Sequence, residues 1–378
     1  MSAPDPVIPW AQPILFGDEL TYLAAALEST MLSGGAFVDR LEAEFASIHG
    51  VSPSHAVSVT NGTTALYLPL LALGIGPGDE VIVPGWCFAA AANMVLACGA
   101  TPVFADILED TWLLDPAAVA RCITARTKAI IAVHTYGVVC DMAALTAIAK
   151  PRSIALIEDC AESLFSRYQG HPAGTLGDVA CFSFQATKTI TCGEGGMVLA
   201  RDPNLVSAMR LTRNHGMTPD RKYWHHVVGH NFRLTNLLAA VACAQLAHRL
   251  EIIELRRRLY AAYRRRLSGI PGLHLQRVPA VVDPLMWAFA FRIDPSAAGI
   301  SRDRLMAELA TQGIETRPGF CALSEQPIYR AAPLRHSLAA GQHILSLPSA
   351  PNLTGQQINF ICDTLLGCLT SIPLEVAS

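Results

Sequence analysis

The chain has 378 residues, of which 51% are hydrophobic and 16% charged, and its formal net charge is −3. This length allows a large core and suggests two domains. The small negative charge argues against a nucleic-acid-binding protein, which usually presents a basic face. No apolar run approaches the length that spans a bilayer, and residues 1–12 lack the basic start of a secretory signal. The 11 cysteines include no C-x-x-C pair, which argues against a zinc site and a disulfide framework and favours reduced thiols in a cytoplasmic protein.

The first two thirds of the chain predict helices and strands in alternation. Two amphipathic helices come first, over residues 18–31 and 38–49. Predicted strands follow at 56–60, 80–84, 102–106, 129–133, 155–159, 179–184 and 197–200, with helices at 64–73, 89–98, 116–123 and 142–150. Strands that are apolar on both faces and alternate with helices indicate an α/β fold with a mostly parallel sheet covered on both sides.

The last third predicts a different organisation. Residues 235–267 have the pattern of one long helix, and its arginine runs at 256–258 and 264–266 are interpreted as an exposed helix face. A strand at 287–293 and helices at 302–312 and 355–369 follow. We therefore predict a large α/β domain over 1–234, a connecting helix over 235–267 and a small α+β domain over 268–378.

A possible phosphate site lies at the start of one predicted helix. Asn61-Gly62-Thr63 follows the strand 56–60, at the edge of the sheet where ligands bind in α/β folds. Backbone N–H groups at a helix start, beside a glycine that permits close approach, bind phosphate. The same residues also fit an ordinary helix cap, so both interpretations stay open.

Asp159 ends a predicted buried strand, within Glu158-Asp159-Cys160-Ala161-Glu162. A carboxylate at such a place is costly without a cationic partner. A protonated pyridine nitrogen would be one partner, while a helix N-cap or a structural ion pair are the alternatives.

Lys188 comes after the strand that ends near Phe184 and before the flexible turn at residues 193–196. A lone lysine at this place is ordinarily a surface residue. In a partly desolvated pocket, however, an amine forms a Schiff base with an aldehyde. Ser183 just before it has a hydroxyl that can donate to a phosphate oxygen or bond to the backbone.

The combination of these residues is more specific than any one of them. With Phe88 placed just past a strand end, the chain resembles the DegT/DnrJ/EryC1/StrS family of sugar aminotransferases, which are fold-type I pyridoxal-phosphate enzymes. The matching stretches are 12–13, 61–63, 78–84, 158–162, 188–191, 193–196, 223–225 and 229–236, and the resemblance covers nearly the whole chain. Residues 223–236 are most similar to the GDP-perosamine synthase branch of that family.

The resemblance implies a role for each matching residue. Lys188 forms the Schiff base with pyridoxal phosphate, Asp159 pairs with the pyridine nitrogen, Phe88 stacks on the ring, Gly62, Thr63 and Ser183 hold the phosphate, and Glu162 lines the site. Asn231 matches a residue that reaches the phosphate from the other subunit, which implies a homodimer with shared active sites.

The resemblance also implies a two-step ping-pong transfer of an amino group. The donor would be glutamate and the favoured acceptor GDP-linked 4-keto-6-deoxy-mannose. A branch of the family that dehydrates sugars has histidine at the position of Lys188, so the lysine favours amino transfer. A 3-ketosugar or cyclitol acceptor, or a non-catalytic binding or regulatory protein of the same fold, are the alternatives.

Substrate residues are predicted at two places, in and after the Arg-Pro pair at 317–318 and after the strand 129–133. Relatives often have a histidine within Pro-x-His-x-x-Pro after an Arg-Pro pair, whereas this chain has Ala322 and Ser324 at positions of that pattern. Arg317 is kept and could bind a diphosphate or form an ordinary surface ion pair. His134 is predicted to contact substrate, with a satisfied core histidine as the alternative.

Overall fold

A computed structural model gives the structure of the chain and describes residues 7–218, 220–329 and 331–370. Residues 1–6 of the N-terminal segment and residues 371–378 of the predicted small domain lie outside the described part.

The described chain contains 14 strands in three sheets. They are β1 (Ala56–Val59), β2 (Glu80–Pro84), β3 (Thr101–Ala105), β4 (Thr127–Val133), β5 (Ala155–Asp159), β6 (Arg167–Tyr168), β7 (His171–Pro172), β8 (Val179–Ser183), β9 (Gly196–Ala200), β10 (Leu273–Leu275), β11 (Val282–Asp283), β12 (Ala290–Ile293), β13 (Arg317–Pro318) and β14 (Ile344–Ser346).

The described helices number 13. They are α1 (Asp18–Glu28), α2 (Ala36–Ile48), α3 (Gly62–Ala72), α4 (Ala90–Ala97), α5 (Pro116–Cys122), α6 (Met142–Ala149), α7 (Pro203–Arg213), α8 (Asn236–Ala247), α9 (Arg249–Leu267), α10 (Pro295–Ala298), α11 (Arg302–Thr311), α12 (Arg335–His343) and α13 (Gly355–Thr370).

The central sheet has seven strands in the order β1-β9-β8-β5-β4-β2-β3. Strands β3, β2, β4, β5 and β8 run parallel, and β9 is antiparallel to both of its neighbours. Side chains alternate between two cores: Ile82 and Ile130 face the helices α2, α5, α6 and α8, whereas Val81 and Ile131 face α3, α4 and α7. The predicted α/β fold with a mostly parallel, doubly covered sheet is confirmed.

A smaller α+β unit follows the central sheet. Its four strands have the order β10-β12-β14-β13 and are antiparallel, and they share a separate hydrophobic core with α9, α11 and α13. The N-terminal segment also belongs to this core, because Ile8 pairs with Ile314 and packs into the same cluster. The exact domain limits remain a prediction.

The single long helix predicted over residues 235–267 is wrong. The structure has two helices, α8 and α9, with a bend of 64° between them. The break lies at His248, whose ring stacks on Phe16 with centroids 4.1 Å apart and whose Nε2 lies 2.9 Å from an Asp18 carboxylate oxygen. These contacts to the start of α1 fix His248 outside helical geometry, an override by tertiary packing that helical periodicity does not reveal.

No single helix in the described ranges is long and apolar enough to cross a membrane. Only α8 and α9 together meet such a criterion by length and composition, and they are bent against each other. The interpretation of the arginine runs as an exposed face is wrong for Arg256, which is 5% exposed.

Candidate active site

The predicted site residues converge at one edge of the central sheet. Parallel strands end at the same edge of the sheet. Strand β2 ends shortly before Phe88 and β4 ends just before His134, whereas β5 ends at Asp159 and β8 at Ser183. The turn that carries Lys188 follows β8 directly. Parallel pairing therefore brings together residues far apart in sequence.

The start of α3 forms a cradle beside Ser183. The side chain of Asn61 accepts a hydrogen bond from the Thr64 N–H at 2.9 Å, and the Thr64 hydroxyl accepts one from the Asn61 N–H at 3.1 Å. This capping box satisfies the helix start but leaves the N–H groups of Gly62 and Thr63 without an acceptor inside the helix. Both sequence interpretations therefore fit, the cap for Asn61 and an anion cradle for the next two residues.

Gly62 keeps this cradle open. A Cβ atom at this position would lie 2.7 Å from Ser183 Cβ and 2.9 Å from Ser183 Oγ. Only glycine therefore allows the helix start and the Ser183 hydroxyl to approach so closely. The two elements together present backbone N–H groups and a hydroxyl, which are donors that suit a phosphate group.

Asp159 is a buried carboxylate with few partners. Its side chain accepts one hydrogen bond, from the Ala161 N–H at 3.0 Å, and within the described ranges no lysine or arginine lies within ion-pair distance. Burial raises the pKa of Asp159, an effect that the Ala161 N–H and the positive charge of Lys188 partly offset. A cationic group placed beside this carboxylate would remove the cost of its burial.

Lys188 lies in the interior of the site rather than on the surface. Its side chain is 14% exposed, and its Nζ is 3.6 Å from Glu162 Oε1. The other oxygen of Glu162 accepts a hydrogen bond from the Tyr136 N–H at 2.8 Å. Burial raises the pKa of Glu162, while the nearby Lys188 acts against that shift.

One aromatic residue beside the lysine, Trp287, was not foreseen as a site residue from the sequence. Lys188 Nζ lies 3.8 Å from the centroid of the Trp287 ring. The Trp287 indole N–H donates to the Thr187 carbonyl at 2.7 Å, and its backbone N–H donates to the Tyr136 carbonyl at 3.0 Å. Trp287 precedes the short strand β12, more than 90 residues after the lysine, so no local motif points to it.

His134 has the environment of a core histidine. The residue is 0% exposed, its Nε2 lies 3.0 Å from Glu158 Oε2, and its Nδ1 accepts the Cys140 N–H at 3.2 Å. Glu158 also accepts three backbone N–H groups, from Gly174, Leu176 and Gly177. Because both ring nitrogens are used inside the core, the predicted substrate contact of His134 does not fit the structure.

Phe88 and Asn231, which are predicted to contact the cofactor ring and a second subunit, are accessible. Phe88 is 62% exposed and lies 6.0 Å from Phe320 between ring centroids. Asn231 is exposed, and its side-chain oxygen accepts a hydrogen bond from Arg233 Nε at 3.2 Å. Both side chains can therefore meet a ligand or a second subunit.

The predicted substrate residues Arg317 and Ser324 differ in environment. Arg317 is exposed; its guanidinium lies 3.6 Å from Glu315 and 4.5 Å from the Trp10 ring centroid, which fits the surface ion-pair alternative. The Ser324 hydroxyl is buried and has no hydrogen-bond partner among the described residues.

Comparison with known proteins identifies the family. Residues 14–366 match the DegT/DnrJ/EryC1/StrS aminotransferase family. The chain belongs to this family. The predicted aminotransferase is therefore confirmed.

Two curated relatives are similar over almost their whole length. The chain is 40% identical to the GDP-perosamine synthase of Caulobacter vibrioides, over 95% of this chain and 98% of the relative. It is 38% identical to the GDP-perosamine synthase of Escherichia coli O157:H7, over 95% and 97%.

Solved structures agree with the fold. The aminotransferase TlmJ from Streptoalloteichus hindustanus superposes with a TM-score of 0.92 at 30% identity, covering 96% of this chain and 99% of that one. The PLP form of Spr1654 from Streptococcus pneumoniae has a TM-score of 0.90 at 25% identity, covering 97% and 100%. A relative with bound pyridoxal phosphate agrees with the predicted cofactor.

Proposed function

We propose that this aminotransferase moves an amino group from glutamate to the keto group of GDP-linked 4-keto-6-deoxy-mannose, with pyridoxal phosphate as cofactor. The observation that carries the proposal is the position of Lys188 in the turn that follows β8, where its Nζ lies 3.6 Å from Glu162 Oε1 and its positive charge acts on the buried Asp159. The identity of 38–40% to two GDP-perosamine synthases supports the choice of acceptor.

The described residues fit the cofactor. The cradle of Gly62, Thr63 and Ser183 suits its phosphate, because a Cβ at Gly62 would fill the space beside Ser183. Asp159 is a buried carboxylate without a cation at ion-pair distance within the described part of the chain, so it suits the protonated ring nitrogen. When bound, pyridoxal phosphate supplies an aldehyde for the amine and an electron sink for the carbanion.

The protein residues hold the reactants and move protons. Lys188 would hold the cofactor, and its ε-amine would carry a proton to and from the reacting carbon as general base and acid. Asp159 would hold the ring nitrogen of the cofactor in its protonated form, and Phe88 would pack against the ring. Glu162, tied to the Tyr136 N–H, lies beside the lysine amine and limits its movement.

Substitution of Lys188 tests this assignment. Lys188→Ala and Lys188→Arg should lose the near-visible absorbance of lysine-bound cofactor and at least about a thousandfold in turnover. Lys128→Ala is the matched control, since Lys128 is an exposed lysine on β4, and it should keep both properties. A Lys188→Ala protein that retains the absorbance band and turnover would contradict the proposal.

The acceptor is tested by direct comparison of nucleotide sugars. GDP-, dTDP- and UDP-linked 4-keto sugars, 3-keto sugars and a cyclitol ketone are offered with glutamate as donor. We expect the highest kcat/KM for the GDP-linked 4-keto-6-deoxy sugar. A preference for another acceptor would assign the enzyme a different sugar, and the orphaned hydroxyl of Ser324 marks a site where such a difference would arise.

We further propose a homodimer in which Asn231 of one subunit completes the site of the other. Exposed apolar residues support this proposal, because Tyr223, Trp224, Val227 and Val228 precede Asn231 on the same segment and Val228 is 87% exposed. An exposed apolar patch of this kind is typical of an interface.

The cysteines are all free, which supports the expected cytoplasmic location.

Subunit mixing tests the shared site. Lys188→Ala and Asn231→Ala homodimers should each be nearly inactive. A mixed dimer places both substitutions in one site and leaves the second site intact, so mixing and refolding the two variants should restore up to about half of the wild-type activity per mixed dimer. Absence of any recovery in verified mixed dimers would contradict the shared site.

A further inference from the structure

The amine of Lys188 is in contact with two different kinds of group. On one side the carboxylate of Glu162 lies 3.6 Å from Nζ, and on another the face of the Trp287 indole ring lies 3.8 Å from Nζ. A distance of 3.6 Å is long for a hydrogen bond, so the carboxylate attracts the amine without a short bond to it. The ring contact is well within the range of a cation–π interaction.

The Trp287 ring is held rigidly in this position. Its indole N–H donates to the Thr187 carbonyl at 2.7 Å, its backbone N–H donates to the Tyr136 carbonyl at 3.0 Å, and its own carbonyl accepts from Arg256 Nη1 at 2.8 Å. The bond to Thr187 ties the ring to the residue directly before the lysine. The ring therefore keeps a constant position relative to the lysine turn.

The contacts form a closed circuit around the amine. Lys188 meets Glu162, Glu162 accepts the Tyr136 N–H at 2.8 Å, the Tyr136 carbonyl accepts the Trp287 N–H, and the Trp287 ring returns to the amine. One loop after β4 thus positions both groups that contact the lysine. Tyr136 has a positive φ of 59°, and this turn aims its N–H and its carbonyl at these two partners.

The two contacts differ in what they can do with a proton. A carboxylate can accept a proton from an ammonium, whereas an aromatic ring attracts the charge but has no lone pair for the proton. An amine that has taken up a proton as general base would stay close to the reacting atoms beside the ring and keep that proton for transfer. Trp10 packs against Trp287 edge-on, with ring centroids 5.4 Å apart and planes at 79°. This packing contact alone does not require the face of the Trp287 ring to meet the lysine amine.

We propose that Trp287 is a positioning residue for Lys188, whose indole face holds the amine beside the reacting atoms when it is not bonded to the cofactor, and holds it most strongly once the amine has taken up a proton. This inference rests on the proposed role of Lys188 as the cofactor lysine. Because the ring keeps the amine close to the reacting carbon, it raises the rate of the chemical steps. It leaves acceptor binding unaffected.

Substitution of the ring tests the proposal. Trp287→Leu removes the aromatic face, while Trp287→Phe keeps a smaller one. We expect Leu to slow both kcat and the growth of the near-visible band after cofactor is added to apo-protein, by between about twofold and thirtyfold. Phe should recover most of this loss, and the KM for the nucleotide sugar should stay within about twofold in both variants.

A second measurement separates the ring charge from its packing. The chain has 5 tryptophans, and replacing them with mono-, di- and trifluorinated tryptophan weakens cation–π attraction stepwise at almost constant shape. The kcat of wild-type protein should fall with each fluorine, whereas the Trp287→Phe protein with the same analogues should show no such trend. This comparison also works if Trp287→Leu fails to fold.

Two outcomes would overturn the inference. One is equal loss of rate in the Leu and Phe variants, and the other is a fluorine series in which wild type and Trp287→Phe behave alike. The proposed function is tested separately. It is contradicted by a Lys188→Ala protein that keeps its absorbance band and turnover.

Discussion

Two adjacent buried carboxylates at the carboxyl edge of the sheet, Glu158 and Asp159, differ in their hydrogen-bond partners. Glu158 is saturated with donors, because His134 and three backbone N–H groups bond to it. Burial acts to raise its pKa, but these hydrogen bonds outweigh burial and lower it. Its neighbour Asp159 accepts only the Ala161 N–H and keeps a raised pKa because of burial. Adjacent carboxylates thus separate into a structural residue and one available to a ligand.

Asp159→Asn should lower turnover without lowering stability. The amide cannot hold the proton on the ring nitrogen, so we expect kcat to fall by about a hundredfold to a thousandfold. The charged carboxylate is costly to bury, so the neutral amide should leave the urea midpoint unchanged or raise it. Asp202→Asn replaces the exposed N-cap of α7 with an equally good cap and is the control. A variant that loses stability together with activity would mark Asp159 as a structural residue.

His49 should make stability depend on pH. It is 4% exposed, its Nδ1 bonds to the Phe45 carbonyl at 2.8 Å, and burial lowers its pKa from 6.5 to about 4. Between these values the unfolded chain binds a proton that the folded protein refuses, so stability falls as the pH drops from 6.5 towards 4. At pH 5 the loss is about 2 kcal/mol.

Urea unfolding at pH 7 and pH 5 measures this contribution. In His49→Gln the difference in unfolding free energy between the two pH values should be about 2 kcal/mol smaller than in wild type. His171→Gln, at an exposed position on β7, should keep the wild-type difference. An unchanged difference in His49→Gln would show that another group causes the acid sensitivity.

At the scale of elements, short connections decide the geometry of the site. Gly137, in the turn after β4, has φ of +109°, and a Cβ atom there would lie 2.4 Å from the Leu285 carbonyl oxygen and 2.8 Å from Met286 Cα. Both neighbours are backbone atoms and cannot rotate away. This close approach places the Tyr136 carbonyl against the Trp287 N–H, so the turn connects the large sheet to the segment before β12.

Gly137→Ala should damage both stability and activity. Overpacking against backbone costs about 1–3 kcal/mol, and the left-handed conformation adds about 1–2 kcal/mol. The shift should also move Trp287 away from Lys188 and lower kcat. Gly355→Ala is the control, since a Cβ atom at the start of α13 meets nothing within 4 Å. Thermal unfolding and turnover report the two effects, and wild-type values for both in Gly137→Ala would contradict this account of the turn.

The sequence predicted some elements better than others for physical reasons. Strands β2 and β5 were predicted with the bounds they have, because each contains a short apolar run that is mostly buried, residues 81–83 in β2 and 155–157 in β5. The break between α8 and α9 was missed, because it depends on contacts of His248 with Phe16 and Asp18, more than 200 residues away. Trp287 was predicted to lie within a strand, but its contact with Lys188 arises only when two distant segments meet.

At the scale of the whole molecule, the N-terminal segment joins the smaller unit to the site. Trp10 is 3% exposed; its indole N–H donates to Ser346 Oγ at 2.8 Å, and its backbone N–H donates to Glu315 at 2.9 Å. Its carbonyl accepts the Ser349 N–H at 2.7 Å. The ring edge meets Trp287, which in turn contacts Lys188. Residues near the start of the chain thus support the site through the C-terminal sheet.

Trp10→Ala should therefore weaken the fold and the site together. Removal of a buried indole costs about 3–5 kcal/mol and leaves the Ser346 hydroxyl without its donor. The cavity also frees the Trp287 ring to tilt, so the growth of the lysine-bound cofactor band should slow even under conditions where the variant is folded.

Trp10→Phe keeps the aromatic contact and loses only the indole N–H, so it should restore most of the band-growth rate but only part of the stability. Leu250→Ala, at a position 70% exposed on α9, is the control for a large-to-small change without a cavity. Urea unfolding followed by circular dichroism measures the stability, and band growth measured in parallel reports on the site. A Trp10→Ala protein that is destabilised but forms the band at the wild-type rate would show that the smaller unit does not support the lysine.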